Sequence, residues 1–264
     1  LYIKSGQLRA AKDLMYNMPY SEASKQVNVL FATALFAAGI QDWAQAQKYL
    51  DQIQAQDTTQ EIKELQKSLA LREQISQALF LAKEGKKAEG LALLTRYEQM
   101  ASVDVTMISL LANAYVDLGD TKRGINLMQQ AIARDTPPKT DLLLAYSFLL
   151  LKADEDTEAA PILSALGKRQ LSGSEESSFK DVSFIYSLRQ AGILRKNGKL
   201  DEAETKLTTL LTQKPTDPTV INELDLVYQA SGKNIKGLDM YKKLIAQNPK
   251  NIELRLGAAR LAIQ

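Results

Sequence analysis

Apolar residues in this chain fall on one helical face after another. Ile108, Leu111, Ala112 and Tyr115 follow the spacing i, i+3, i+4, i+7, and Leu142, Ala145, Tyr146 and Leu149 repeat it one period later. That spacing collects each set on one side of a helix with about 3.6 residues per turn. A second stripe follows each turn, as in Ala203, Leu207 and Leu210, or Gly237, Tyr241 and Leu244. Alternation of period two is not sustained anywhere, so the pattern predicts an all-helical chain.

The helices come in a repeating unit. Gly85, Gly119 and Ala153 are 34 residues apart, as are Gly198 and Gly232. Five residues after most of these points stands another small residue: Ala11 after Gly6, Gly90, Gly124, Ala203 and Gly237. Two antiparallel helices joined by a short turn approach closely only where a side chain is missing, so the unit is helix, turn, helix. Lys214-Pro215-Thr216-Asp217-Pro218 and Asn248-Pro249-Lys250-Asn251 read as unit ends, with Asp217 placed to cap a helix that begins at Pro218. One such pair cannot bury its apolar face alone. Residues 1–264 are therefore expected to form a single solenoid segment, with units starting near 71, 105, 139, 184, 218 and 252 and less regular ones before 71.

Two units break the period, since Gly39 to Gly85 spans 46 residues and Ala153 to Gly198 spans 45. Both insertions look helical. Thr58-Thr59-Gln60-Glu61 and Ser172-Gly173-Ser174-Glu175 fit capping boxes, which predicts extended helices near 59–84 and 175–196. Solenoid curvature follows from the rotation between units, so the superhelix is expected to change direction at those two places. Pro161, inside a second helix, is expected to delay its start or kink it.

Composition removes most chemistry. The 264 residues include no His and no Cys, so a zinc site, a haem or iron–sulfur site, a catalytic thiol and a Ser–His–Asp triad all lack their groups. The densest carboxylates, Glu175 with Glu176 and Asp154-Glu155-Asp156, sit at helix starts, where the macrodipole favours negative charge. The reading assigns no catalytic residue, no metal and no cofactor. A formal net charge of +2 gives no electrostatic footprint for nucleic acid. The longest apolar window, Leu142 to Leu151, contains Ser147 and is too short to span a bilayer. Tyr115, Tyr146, Tyr228 and Tyr241 recur at stripe positions and read as core, and Trp43, beside Asp42 at the entry of a second helix, reads as packing between units. Because the chain opens on Leu1 in what looks like the middle of an element, it reads as a segment of a longer protein.

With small or apolar residues at Leu111, Ala112, Tyr115, Ala203, Leu207 and Leu210, and with Pro215 and Pro249, the chain resembles the tetratricopeptide repeat family over nearly its whole length. Two departures stand out: the aromatic near the start of the first helix is absent, and Asp225 takes a position that is normally small and buried. The resemblance implies a right-handed superhelical solenoid of antiparallel helix pairs. It also implies an inner surface lined by non-core positions of the first helices, here Asn113, Arg195, Asn222 and Arg260. These four are the groove candidates. Adjoining units offer Leu79, Asn113 and Ser147 where the family's clamp for a peptide carboxylate needs Lys, Asn and Arg, so that clamp is not expected.

The stretches Ala112-Asn113-Ala114-Tyr115-Val116-Asp117-Leu118-Gly119-Asp120, Tyr186-Ser187-Leu188-Arg189-Gln190-Ala191 and Val227-Tyr228-Gln229-Ala230-Ser231-Gly232, in this order around the irregular insertion, more closely resemble the periplasmic repeat regions of bacterial outer-membrane cellulose exporters. That likeness implies a non-enzymatic periplasmic scaffold. Its partners would be subunits of the cellulose synthase complex and an outer-membrane β-barrel on the same chain, with the glucan chain or peptidoglycan as further contacts. A general peptide-binding repeat adaptor is the alternative reading.

Overall fold

A computed structural model describes residues 8–16, 27–101, 105–134 and 136–263. Among these residues there are fourteen α-helices, one 3-10 turn at Ala55–Asp57 and no strand. The chain divides into two compact units, Leu1–Ala131 and Ile132–Gln264.

The first unit holds α1 (Leu8–Tyr16), α2 (Val27–Gly39), α3 (Trp43–Leu50), α4 (Gln60–Lys83), α5 (Lys87–Ala101), α6 (Val105–Asp117) and all but the last residue of α7 (Thr121–Ile132). Two apolar clusters form its interior. Leu30, Ala34, Ala37, Ala46 and Leu50 of α2 and α3 make one, and Leu94, Met107, Leu111 and Tyr115 of α5 and α6 make the other. Helix α4 belongs to both, giving Ile62 and Leu69 to the first and Leu71 and Ala78 to the second. Its 24 residues are the extension expected from the insertion, and at 1.5 Å per residue they run about 36 Å. Thr59 caps it, accepting the Ile62 amide at 3.4 Å.

The second unit holds α8 (Thr140–Lys152), α9 (Asp156–Leu166), α10 (Gly173–Lys196), α11 (Leu200–Gln213), α12 (Pro218–Ala230), α13 (Asn234–Gln247) and α14 (Ile252–Ile263). Helix α10 is again 24 residues long and packs against α8, α9, α11 and α12. Phe184 and Ala191 of α10 join Leu207, Leu210, Val220, Leu224, Val227, Tyr241 and Leu244 in one core. Asp217 accepts the Thr219 and Val220 amides at 3.0 and 3.1 Å, so the cap before Pro218 forms as its sequence indicates. Pro161 lies inside α9, whose start at Asp156 is not delayed.

Tight turns close the hairpins in one way. Gly85, Gly119, Gly198 and Gly232 take φ between 68° and 80°, a left-handed conformation with little cost only for residues lacking Cβ. The following amide then returns to the carbonyl five residues back, as in Asp120 to Tyr115 at 2.8 Å. Two turns differ from the sequence expectation. At the Ala153 turn the left-handed residue is Asp154, φ 62°, and near Gly39 it is Gln41, φ 61°. Asp is among the few residues with a side chain that visit this region as single positions. Small residues opening the second helices have the anticipated cause: a Cβ on Gly90 or Gly124 would come within 2.6 Å of the carbonyl oxygen of Ala78 or Ala112.

Candidate functional site

The four groove candidates meet different fates. In the first unit, Asn113 of α6 is half-buried and its amide donates to the Ser109 carbonyl at 2.8 Å, one turn back on its own helix. In the second unit, Arg195 of α10 is pinned to α12, its Nε 2.9 Å from Glu223 Oε2 and its Nη2 3.5 Å from Oε1. Both residues are thus engaged inside the protein.

Asn222 and Arg260 are brought together. They are exposed and line a cleft of about 210 Å³ between α12 and α14, with Ile221, Tyr241, Glu253 and Leu254 completing its walls. Tyr241 reaches this position from α13 because residue 257 is a glycine; any Cβ at Gly257 would overlap the Tyr241 phenol. Asp225, whose charge acts on the Tyr241 hydroxyl, is only 7% exposed, with its Oδ1 buried and without a hydrogen-bond partner. Burial, and then the Asp225 charge, push the Tyr241 hydroxyl up to about 12, so it stays protonated and neutral at ordinary pH. The cleft therefore offers a guanidinium, a carboxamide, a carboxylate and an aromatic wall, a set suited to hydrogen-bonding a polar chain.

A second hollow, about 460 Å³, opens between α11 and α13 over α12. Leu211, Leu224, Tyr228, Met240 and Leu244 give it an apolar floor, and Lys236 and Lys243 stand at its rim. Its floor residues carry the same helical spacing as the core, so nothing in the periodicity separates them from ordinary packing.

The carboxylate clusters have structural duties. Arg189 of α10 holds Asp154 at 2.7 Å and Asp156 at 2.6 Å, across the turn before α9. These two acids raise its pKa, with the Asp156 hydrogen bond the largest cause. Glu175 accepts the Ser172 amide at 2.8 Å and Glu176 pairs with Lys180 at 2.7 Å. Further along, Lys233 binds Asp201 and Glu204 at 2.6 and 2.7 Å, joining α11 to the turn before α13. The tyrosines expected in the core are there: Tyr115, Tyr146, Tyr228 and Tyr241 are all buried. Trp43 packs against the cluster that α2 and α3 share with Ile62 and Leu69 of α4. Among the described residues, no group of three potential metal ligands occurs, and no helix is long and apolar enough to cross a membrane.

Comparison with known proteins matches a tetratricopeptide repeat model to residues 109–174. Over its entire length the chain is 32% identical to cellulose synthase operon protein C of Pseudomonas fluorescens strain SBW25, of which it covers 21%. It is 28% identical, over 92% of its length, to the protein of the same name from Xanthomonas axonopodis pv. citri, of which it covers 16%. The chain thus spans about a fifth or less of the length of these relatives. A solved tetratricopeptide repeat protein from Parabacteroides merdae covers 89% of the chain, with 84% of its own length matched, at 16% identity and a TM-score of 0.47.

Proposed function

We propose, from the premise that this chain is a tetratricopeptide-repeat segment related along its whole length to cellulose synthase operon protein C, that it is a periplasmic scaffold and interaction module of a cellulose synthesis and export complex. On this reading the repeats connect an outer-membrane β-barrel to the synthase, and residues 1–264 act as one array. The observation that carries it is the unbroken match from end to end with a protein of that name. The site chemistry is consistent with it. Clustered carboxylates are spent on caps and ion pairs, which leaves shape and surface as what the segment contributes. Repeats of this kind are interaction scaffolds as a rule and bury a core only by stacking. Asn222 and Arg260, the two candidates that remain accessible, are the proposed contact residues, while Arg195 positions α12 through Glu223 and Asn113 braces α6.

The test uses the full-length protein in its own cells, with a photo-crosslinking residue at position 222 or 260. Crosslinks to synthase subunits or to cell-wall polymer in the envelope fraction are expected. Fractionation of the protein with the cytosol, or crosslinks to cytosolic proteins alone, would overturn the reading. The peptide-adaptor alternative is favoured by the mixed polarity of the cleft, and calorimetry separates the two. Heat from a peptide panel with none from cello-oligosaccharides would remove the glucan as a contact of this segment.

A further inference from the structure

Four arginines among the described residues are partly buried: Arg72, Arg123, Arg189 and Arg195. Three of them hold carboxylates. Arg123 pairs with Glu98 at 2.7 Å, Arg189 with Asp154 and Asp156, and Arg195 with Glu223. Arg72 of α4 has an aromatic ring instead, its guanidinium carbon lying 4.1 Å over the centre of Trp43. Its Nε is buried without a hydrogen-bond partner, and no described carboxylate pairs with it. The surroundings offer none. Residues three and four away on the same helix are Ser68, Leu69, Ile75 and Ser76, and Asp42, next to Trp43 in the chain, is taken by Lys12 at 3.1 Å and the Tyr16 hydroxyl at 3.4 Å. Burial without a compensating charge pulls the Arg72 pKa down.

The stack satisfies the face of the guanidinium but not its edge, where five N–H groups are directed. Arg72 as a whole is partly buried and not fully enclosed. We propose that Arg72, held over the Trp43 ring, is a binding point for a carboxylate supplied by a ligand. A carboxylate is planar, carries a single charge and presents two oxygens at the spacing of the guanidinium fork, whereas a phosphate dianion calls for more cations than this site contains. Trp43 holds the guanidinium over its ring before binding, so little side-chain freedom is lost when the ligand arrives. The site lies wholly in the first unit and stands independently of the role proposed for Asn222 and Arg260.

Trp43 is the single tryptophan of the chain, so its fluorescence reports directly on this site. The whole chain is titrated at constant ionic strength with acetate, and with acetamide as the uncharged isostere. Three further carboxylates distinguish the source: an amidated peptide containing Asp, a peptide whose only carboxylate is its C-terminus, and glucuronate. A saturable change in emission with at least one carboxylate, absent with acetamide, is expected. Arg72→Gln should abolish it. Arg72→Lys, which keeps the charge and loses the fork, should weaken it about tenfold or more, with circular dichroism unchanged. An equal response to acetamide, an unaltered titration in Arg72→Gln, or saturation by none of the carboxylates would overturn the proposal.

Discussion

Helices α4 and α10 solve one problem in two ways. Each is a 24-residue first helix made by an insertion of about a dozen residues into a regular repeat. Helix α4 is fixed by grease, giving Ile62, Leu69, Leu71 and Ala78 to two apolar clusters, and its one partly buried arginine is left on an indole face. Helix α10 adds charge to its apolar contacts: Phe184 and Ala191 enter the core, and Arg189 and Arg195 are each clamped to carboxylates on neighbouring elements. Even their caps divide the labour. The Thr59 hydroxyl accepts the amide three residues on, while at α10 Ser172 and Glu175 form a capping box in which the carboxylate also reaches back to the Ser172 amide. Length alone therefore does not dictate how an oversized helix is anchored; the residues along its buried face do.

Mutations can sharpen that contrast. The largest effect is expected at Leu71, fully buried in α4, where Leu71→Ala should destabilise the protein by about 3 kcal/mol in denaturant unfolding. A loss below about 1 kcal/mol would show that the apolar anchoring of α4 is overstated. Next comes Arg189→Ala, which leaves Asp156, 12% exposed, without its partner and should cost about 1–2 kcal/mol. Because Asp154 is exposed, part of that loss should shrink as salt is added, whereas the Leu71→Ala deficit should not. Equal salt sensitivity of the two variants would erase the distinction between the helices. Thr59→Ala, removing the hydroxyl cap of α4, should cost about 1 kcal/mol, read as a fall in unfolding midpoint.

The smallest expected effect is on pH response. The Ser172 hydroxyl, and then its amide, hold the Glu175 carboxyl below the usual Glu range. A depressed carboxylate contributes stability that is present above its unfolded pKa and lost as pH falls through its folded value. The first turn of α10 should accordingly loosen on acidification through and below the ordinary Glu range, while the hydroxyl-capped start of α4 holds. Amide chemical shifts of Ser172 and Ile62 followed by NMR would check this, and parallel movement of the two would contradict it.

Much of this architecture was legible in the chain itself. The 34-residue period, the helix pairs, both long helices and the Asp217 cap follow from spacing and local chemistry, which act over a few residues. What escaped depends on distant placement. The left-handed turn residue near Ala153 is Asp154, one position beyond the place that counting periods indicates. Arg195 looked like a free groove residue because its partner, Glu223, is 28 residues away and meets it only after α12 docks on α10. Asn222 and Arg260 share a cleft with Tyr241, whose ring Gly257 admits, and a lone glycine in a helix does not announce such a neighbour. Arg72 carries no distinguishing signal in the sequence, and Trp43 becomes its platform only once α3 lies against α4.

Shared ownership of α4 sets how the first unit comes apart. Loosening the α2–α3 hairpin would strip Ile62 and Leu69, and a frayed α4 would in turn uncover Leu71 and Ala78, the wall on which α5 and α6 lean. Nearest-neighbour coupling through one unbroken rod makes the hairpins on its two sides melt together, so partial detachment of either flank is penalised and the unit holds or yields as a whole.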